Sequence, residues 1–370
     1  MNFDFNEDQK MLKETAQRFL ADKCALSDVR KILEGDAPYD KSLWAGLAEM
    51  GFMGAAIPEE FGGLGLGHLE LCVIAEELGR AVAPVPFSST VYLAAEALML
   101  GGSQDQKSAW LPKIAAGEAI GCMAVAESNT APTAKNIACA FDGSTLTGEK
   151  VAVIDGDVAD IAIVIAKTGK GTAAVLVDLN GDGVEKREQR TMDPTRSVAA
   201  LSFKGAPAQL LGADGEGWDI KERVFDRAAV LLAFEQVGGS EAALEMAKAY
   251  SLERFAFGRQ IASYQALKHK MADMYIGNTI ARSNAYYGAW ALSTDAPELP
   301  LAAAGCRAAA SDAYHFASKE NIQVHGGIGF TWEADTQFHY RRSRLTGLQL
   351  GATRVWKDKL VSELEKKNAA

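Results

Sequence analysis

At 370 residues the chain is too long for one compact core of ordinary size, so two or three subdomains are expected. Its apolar share (48%) and charged share (23%) are those of a soluble globular protein, and a net charge of −10 disfavours nucleic acid, whose phosphates call for clustered Lys and Arg. Five scattered cysteines without a CxxC pair argue against a disulfide framework and a zinc site; no secretory signal is read in MNFDFNEDQK, and runs such as ADIAIVIA (159–166) are far too short to span a membrane. The expectation is a cytoplasmic protein with no metal and no membrane insertion.

Residues 1–119 read as helical. Asn6 suits a helix cap with Gln9 three positions on, and Leu12, Ala16, Phe19 and Leu20 form one stripe. A second helix over 42–50 meets Gly51, and PEEFGGLGLG, with Gly62, Gly63, Gly65 and Gly67, reads as a loop. HLELCVIAEELGR regains the helical period, and a short helix is expected over 103–117. Residues 120–212 change texture. Apolar runs such as TLTGEKVAVI, ADIAIVIAKT and TAAVLVDL are separated by turn dipeptides, the pattern of an antiparallel β-barrel domain. From 213 to 370 long helical segments return over 216–258, 262–294 and 297–325, as in a four-helix bundle. The fold class expected is α+β, helical, β, helical. The last helical region is interrupted at LTGLQLGATR (345–354), inside a stretch from Thr336 to Lys357 that holds Arg341, Arg342, Arg344 and Arg354 but no carboxylate. It suits a basic lid over something anionic, and equally an ordinary helix end.

No P-loop, no GxGxxG after a strand, no GxSxG and no HExxH occur, and the five histidines lack metal spacing. Three constellations remain. In LERFAFGRQIASYQALKHKMADM, Arg254, Phe257 and Gly258 end one helix and Gln265 begins the next; an Arg beside an exposed aromatic suits a pyrophosphate and an adenine, but a plain helix hairpin would read the same. In NIQVHGGIGF, Gly326 and Gly327 offer backbone N–H groups to an anion, or simply stop a helix. PEEFGG carries no catalytic chemistry of its own.

Taken together and in this order, these segments resemble the acyl-CoA dehydrogenase family over essentially the whole chain. The resemblance rests on PEEFGG, on the ER-xx-FG-xx-I-xxx-Q pattern from Glu253 to Gln265, on MADM, and on Q-xx-GGIGF from Gln323. It implies FAD lying between the β domain and the C-terminal bundle, an acyl-CoA substrate, an electron-transfer flavoprotein as acceptor, and a tetramer, either of one chain or with a second family member. By matched position, Arg254, Phe257, Gln265, Gln323, Gly326 and Gly327 would hold FAD. The β-domain motifs match poorly: Ala126 to Thr130 stand where T-E-P-x-x-G-S-D is usual, and Ala152, Val153, Ile154 where W-I-[TS] is usual.

Removing the α-proton of a thioester needs a base. Where many relatives carry the Glu of E-G-T, this chain has Leu350 before Gly351, and at the alternative helical position it has Ala228 and Ala229. One acid stands out, Glu235 in LLAFEQVGG, seven residues after Ala228 and about 10 Å further along the helix by rise. Glu235 is expected to be the base; the alternatives are a buried structural acid, and a half-site subunit whose partner supplies the base. Small or uncharged residues at Ala152, Ala228, Ala229, Leu350 and Ala352 suit a bulky, branched or cyclic acyl group.

Overall fold

The computed structural model describes residues 5–369. Helix α1 (Glu7–Lys23) opens on a reciprocal cap: Asn6 Oδ1 accepts the Gln9 N–H at 2.8 Å, and Gln9 Oε1 accepts the Asn6 N–H at 2.9 Å. α2 (Leu26–Glu34) follows, then α3 (Lys41–Glu49), capped by Asp40 and stopped before Gly51, whose φ of +73° is the left-handed turn read in the sequence. α4 (His68–Arg80) leads to a wide π-helical turn, Ser88–Ala95, which runs on into α5 (Glu96–Gly101) and α6 (Gln104–Ala115). The sequence reading leaves 88–101 unassigned. Every residue of Ser88–Ala95 is buried, so no polar face exists to give the amphipathic period.

The strands are β1 (Gly121–Ala124), β2 (Ala140–Phe141), β3 (Thr145–Ile154), β4 (Ile161–Thr168), β5 (Gly171–Asp178), β6 (Val184–Glu188) and β7 (Val198–Gly215). The order β4-β2-β3-β7-β5 closes on itself because β5 also pairs with β4; β1 adds to β4 and β6 to β7. Among the described residues, the antiparallel expectation holds for most strand pairs, with two parallel exceptions. β1 runs parallel to β4, with Gly121 opposite Ile161, and β2 meets β4 in parallel at Ala140 and Lys167. Turn dipeptides mark only neighbours joined by hairpins, whereas parallel neighbours need a long crossover, supplied here by the chain through β2 and β3.

After β7 come α7 (Gly217–Glu253), the short hairpin β8 (Phe255–Ala256) and β9 (Arg259–Gln260), then α8 (Gln265–Ser293), α9 (Leu299–His325), α10 (Thr336–Leu348) and α11 (Thr353–Ala369). α8, α10 and α11 all pack on α9. Ala243, Ala247, Met274, Ala317 and Val324 form the small-residue core where α7, α8 and α9 meet. The chain thus has a three-part α+β architecture: N-terminal helices, a central β region and a C-terminal helical bundle. Among the described residues, no helix is long and apolar enough to cross a membrane.

Packing groups the chain into two compact units that do not follow chain order. One takes the segments ending at Lys31, running His68–Ala83 and beginning at Ala229; the other takes Ile32–Gly67 and Pro84–Ala228. In the first, α4 lies almost against the backbone of α7. A Cβ on Gly79 would fall 1.8 Å from the Glu235 carbonyl oxygen, and one on Gly238 would fall 1.8 Å from that of Glu76. The same crossing buries the Glu76 carboxylate, which accepts from Lys13 Nζ at 2.8 Å and Arg282 Nη1 at 2.7 Å.

Two stability predictions follow from this packing. Gly238→Ala must push two helix backbones apart and is expected to cost about 3 kcal/mol, whereas Gly347→Ala, with open space around its Cβ, serves as control; urea midpoints of the two decide. His339 on α10 is fully buried, with Nδ1 3.2 Å from the Tyr314 hydroxyl; burial, helped by Arg342 and Arg80, pushes its imidazole down to about 4. The native state therefore stays neutral while the unfolded chain takes up a proton below about pH 6.5. Stability from this group is fully present above that pH and falls as pH drops towards 4, by up to about 1.4 kcal/mol per pH unit. His339→Phe should remove this part of the slope, read as the difference between the two proteins' urea midpoints at pH 7 and pH 5.

Candidate functional site

Arg254 follows the last residue of α7, so the helix delivers it to an open end of the bundle. Phe257 and Gly258 do not end the helix as the sequence suggests. They form the two-residue turn between β8 and β9, with φ of +52° and +79°, the conformation such hairpins require. The turn leaves Phe257 97% exposed. Gln265 is the first residue of α8 and is also exposed. Opposite the end of α7, α9 stops at Gly326, whose φ of +64° with ψ of −142° is a glycine conformation.

A depression of about 540 Å³ gathers Arg254, Gln323, Gly326 and Gly327, together with Tyr250 and His325; Phe257 and Gln265 do not line it. Cβ atoms on Gly326 or Gly327 would meet nothing within 4 Å, so both present bare backbone to open space. One expectation changes: the Gly326 N–H is donated to the Gln323 carbonyl in closing α9, so this glycine serves by its shape. Tyr250 and His325 were not read from the sequence. Their rings stack at 4.2 Å, and His325 Nδ1 bonds the Asn321 carbonyl at 2.8 Å. Burial holds the His325 imidazole below its ordinary value, against the Asn321 carbonyl. Tyr250 lies one helical turn before Arg254, which is the signal that would have found it. The lining holds a guanidinium, an amide and a stacked ring pair but no carboxylate, a set that fits an anionic dinucleotide such as FAD.

Glu235 lies in mid-α7, 4% exposed, with Oε1 3.8 Å from Arg342 Nη1. Arg342, 1% exposed, also donates to the Ala83 and Val82 carbonyls at 3.1 and 3.3 Å. The basic stretch is therefore no uniform lid, since one of its arginines points into the core. The next residue, Gln236, faces a second buried guanidinium. Arg307 Nη1 donates to Gln236 Oε1, and Nη2 to the Thr346 carbonyl. Burial pulls Arg307 down to about 10, with Cys306 and Glu235 opposing, and it remains charged at neutral pH. Ala228 and Ala229 are buried, and Leu350 is half-buried with a left-handed φ of +65°.

In the β region, Lys150 is fully buried and donates to Glu127 Oε1 at 2.7 Å and the Val125 carbonyl at 3.0 Å. Burial opposes the Glu127 charge, but Lys150 and the N–H groups of Cys139 and Ala138 outweigh it and hold the carboxyl below its usual range. Burial also lowers the Lys150 ammonium, against the pull of Glu127; we take the pair as ionised because every hydrogen bond on Glu127 favours its anion. Ala152 bulges from the β3–β7 ladder at φ +53°, exposed, with its N–H donated to Gln189 Oε1 at 2.8 Å. Among the described residues no group of His, Cys, Asp and Glu is placed to hold a metal.

Comparison with known proteins identifies the family. The family model for the acyl-CoA dehydrogenase N-terminal domain matches residues 6–118, and that for the acyl-CoA dehydrogenase C-terminal domain matches 215–363. The chain is 34% identical over 359 residues to the acyl-CoA dehydrogenase IpdE2 of Mycobacterium tuberculosis, covering 97% of this chain and 98% of that one. Butyryl-CoA dehydrogenase of Megasphaera elsdenii superposes with a TM-score of 0.91 at 27% identity, over 98% of this chain and 100% of the other. A chain of the ChsE4-ChsE5 complex from Mycobacterium tuberculosis does so at 0.90 and 27%, over 99% of both. The chain belongs to the acyl-CoA dehydrogenase family and is an FAD-binding oxidoreductase of that type.

Proposed function

We propose that this chain removes the α- and β-hydrogens of an acyl-CoA thioester carrying a bulky, branched or cyclic acyl group, with Glu235 as the α-proton base and an electron-transfer flavoprotein as acceptor. The observation that carries the reading is the Glu235 carboxylate, buried in α7 beside the counter-charge of Arg342, while Ala228, Ala229 and Leu350 offer no base. Arg254, Gln323, Gly326 and Gly327 would hold FAD by charge, amide and bare backbone. Phe257 and Gln265, exposed outside that depression, suit a grip on the flavin of a neighbouring subunit in a tetramer. FAD, when bound, supplies the acceptor for the β-hydrogen. Glu235 takes the α-proton, and the small or uncharged side chains of Ala152, Ala228, Ala229, Leu350 and Ala352 leave room for a wide acyl group.

One observation favours a second reading, a half-site subunit whose partner brings the base. The Arg342 guanidinium at 3.8 Å gives Glu235 a structural duty of its own, and one of the similar solved structures is a complex of two differently named proteins.

Arg254→Ala is expected to lower the flavin-to-protein absorbance ratio of the purified protein about fivefold or more, a charge-assisted contact being lost; an unchanged ratio removes Arg254 from the cofactor site. Glu235→Gln should keep its yellow colour while bleaching of the flavin by acyl-CoA slows about 100-fold or more, the range for a missing general base. Full-rate bleaching in that variant would sink the base assignment. The half-site reading instead expects no bleaching by the wild-type chain alone and bleaching once a second family member is co-purified.

A further inference from the structure

Arg307 is a fully buried guanidinium on α9 that no reading of the sequence singled out. Its donors converge on one short piece of chain. Nη2 reaches the carbonyls of Thr346, in the last turn of α10, and, at 2.7 Å, of Gln349, which caps that helix; carbonyls there have no helical partner of their own. Nη1 reaches Gln236 Oε1 and, at 2.8 Å, Ser311 Oγ. Gln236 completes the link by donating Nε2 to Thr346 Oγ1 at 3.3 Å. Just beyond these carbonyls the chain enters the left-handed region at two successive residues, Leu350 (φ +65°) and Gly351 (φ +102°). Leu350 is only half-buried, so core packing does not impose that conformation. A leucine stays there only where the surroundings over-determine the backbone; the Gly351 N–H donated to the Leu348 carbonyl at 3.0 Å closes the turn across it, and the Arg307 bonds hold the carbonyls on either side of Leu348.

We propose that Arg307 is a positioning residue: through Thr346 and Gln349 it fixes the 346–351 turn, so that Leu350 forms a rigid wall of the acyl site and sets acyl preference. The clamp stands on the hydrogen bonds alone; the acyl preference rests on the dehydrogenase reading above. In this arrangement α7 presents Glu235 and, one residue on, Gln236, which ties the same helix to the wall. A substrate thus meets a base and a wall held in one register.

The test uses the purified flavoprotein with Arg307→Met, which keeps side-chain bulk and removes every donor, and Arg307→Lys, which keeps one charged donor group. Hydrogen–deuterium exchange of the amides in 349–353 should accelerate about tenfold or more in Arg307→Met and less in Arg307→Lys, hydrogen bonds to charge being lost in the first and partly kept in the second. Across straight, branched and cyclic acyl-CoA esters, KM for the preferred ester should rise about tenfold while the bleaching rate at saturation changes less than about threefold, as when binding contacts alone are lost. If Arg307→Met does not fold, Gln236→Leu and Thr346→Val weaken the same clamp from its other side and should accelerate exchange in the same segment. Unchanged exchange there, or equal acceleration throughout α8, α9 and α10, overturns the clamp. A loosened turn with unchanged acyl preference overturns the role in specificity. If no acyl-CoA bleaches the wild-type flavin, the dehydrogenase reading fails, and the exchange measurement still decides the clamp.

Discussion

A buried guanidinium needs acceptors for its donors, and among the described residues this bundle buries two, Arg342 and Arg307, of which Arg307 leaves only its Nε without a partner. Arg342 and Arg307 approach α7 at consecutive residues, Glu235 and Gln236, and then fan out in different directions. Arg342 reaches back to the carbonyls of Val82 and Ala83 just past the end of α4, and Arg307 to those at the end of α10. Few apolar contacts could replace this, because carbonyls at helix ends otherwise lack partners. Removing one member of such a buried set costs about 3–5 kcal/mol, mostly because the other charge is stranded. The arrangement therefore fixes the register of α4, α7, α9 and α10 more than it adds net stability. The glycines at the α4–α7 crossing complete it. With Gly79 against the backbone at Glu235, the side chains of Glu235 and Gln236 are turned to α10 and α9.

This constraint bears on the chemistry. The turn after α10 carries no carboxylate and holds two successive residues, Leu350 and Gly351, in the left-handed region. Leu350 retains a left-handed conformation that costs an L-residue about 1–2 kcal/mol, although glycine or asparagine would adopt it more cheaply. Such strain is consistent with a side chain needed for its bulk. The carboxylate of this region is instead Glu235, which the same arginine network orders and desolvates.

Much of this was legible in the sequence where the signal is local. The Asn6–Gln9 cap, the Gly51 stop and the order helical, β, helical follow from neighbouring residues, and so does the helical phase that carries Arg254 to the end of α7 and Gln323 to the end of α9. What escaped depends on residues far apart in the chain. Residues 88–98 are buried on every side and show no period. The parallel β1–β4 pair is joined by no turn. Nothing near Glu235 in the sequence names Arg342 as its partner, and nothing near Arg307 names the turn it holds. The Gly326 N–H looked available because a sequence shows a glycine but not the carbonyl one turn back that claims it. The grouping of α1 and α4 with the C-terminal helices is likewise a fact of packing.

The acid-free stretch from Thr336 to Lys357 can now be given a physical cause. Its arginines are not equivalent: Arg342 is in the core, Arg341 lies over the Trp332 ring and bonds Gln337, and Arg354 pairs with Asp358 just beyond the stretch. An acid on the inner face of α10 would compete with Glu235 for Arg342. An acid in the turn would compete with the carbonyls of Thr346 and Gln349 for Arg307 and release the clamp. Keeping carboxylates out of this segment leaves both guanidiniums to the partners that set the register. The absence of an acid at Leu350 thus leaves undisturbed the network that orders Glu235, and the two are sides of one electrostatic arrangement.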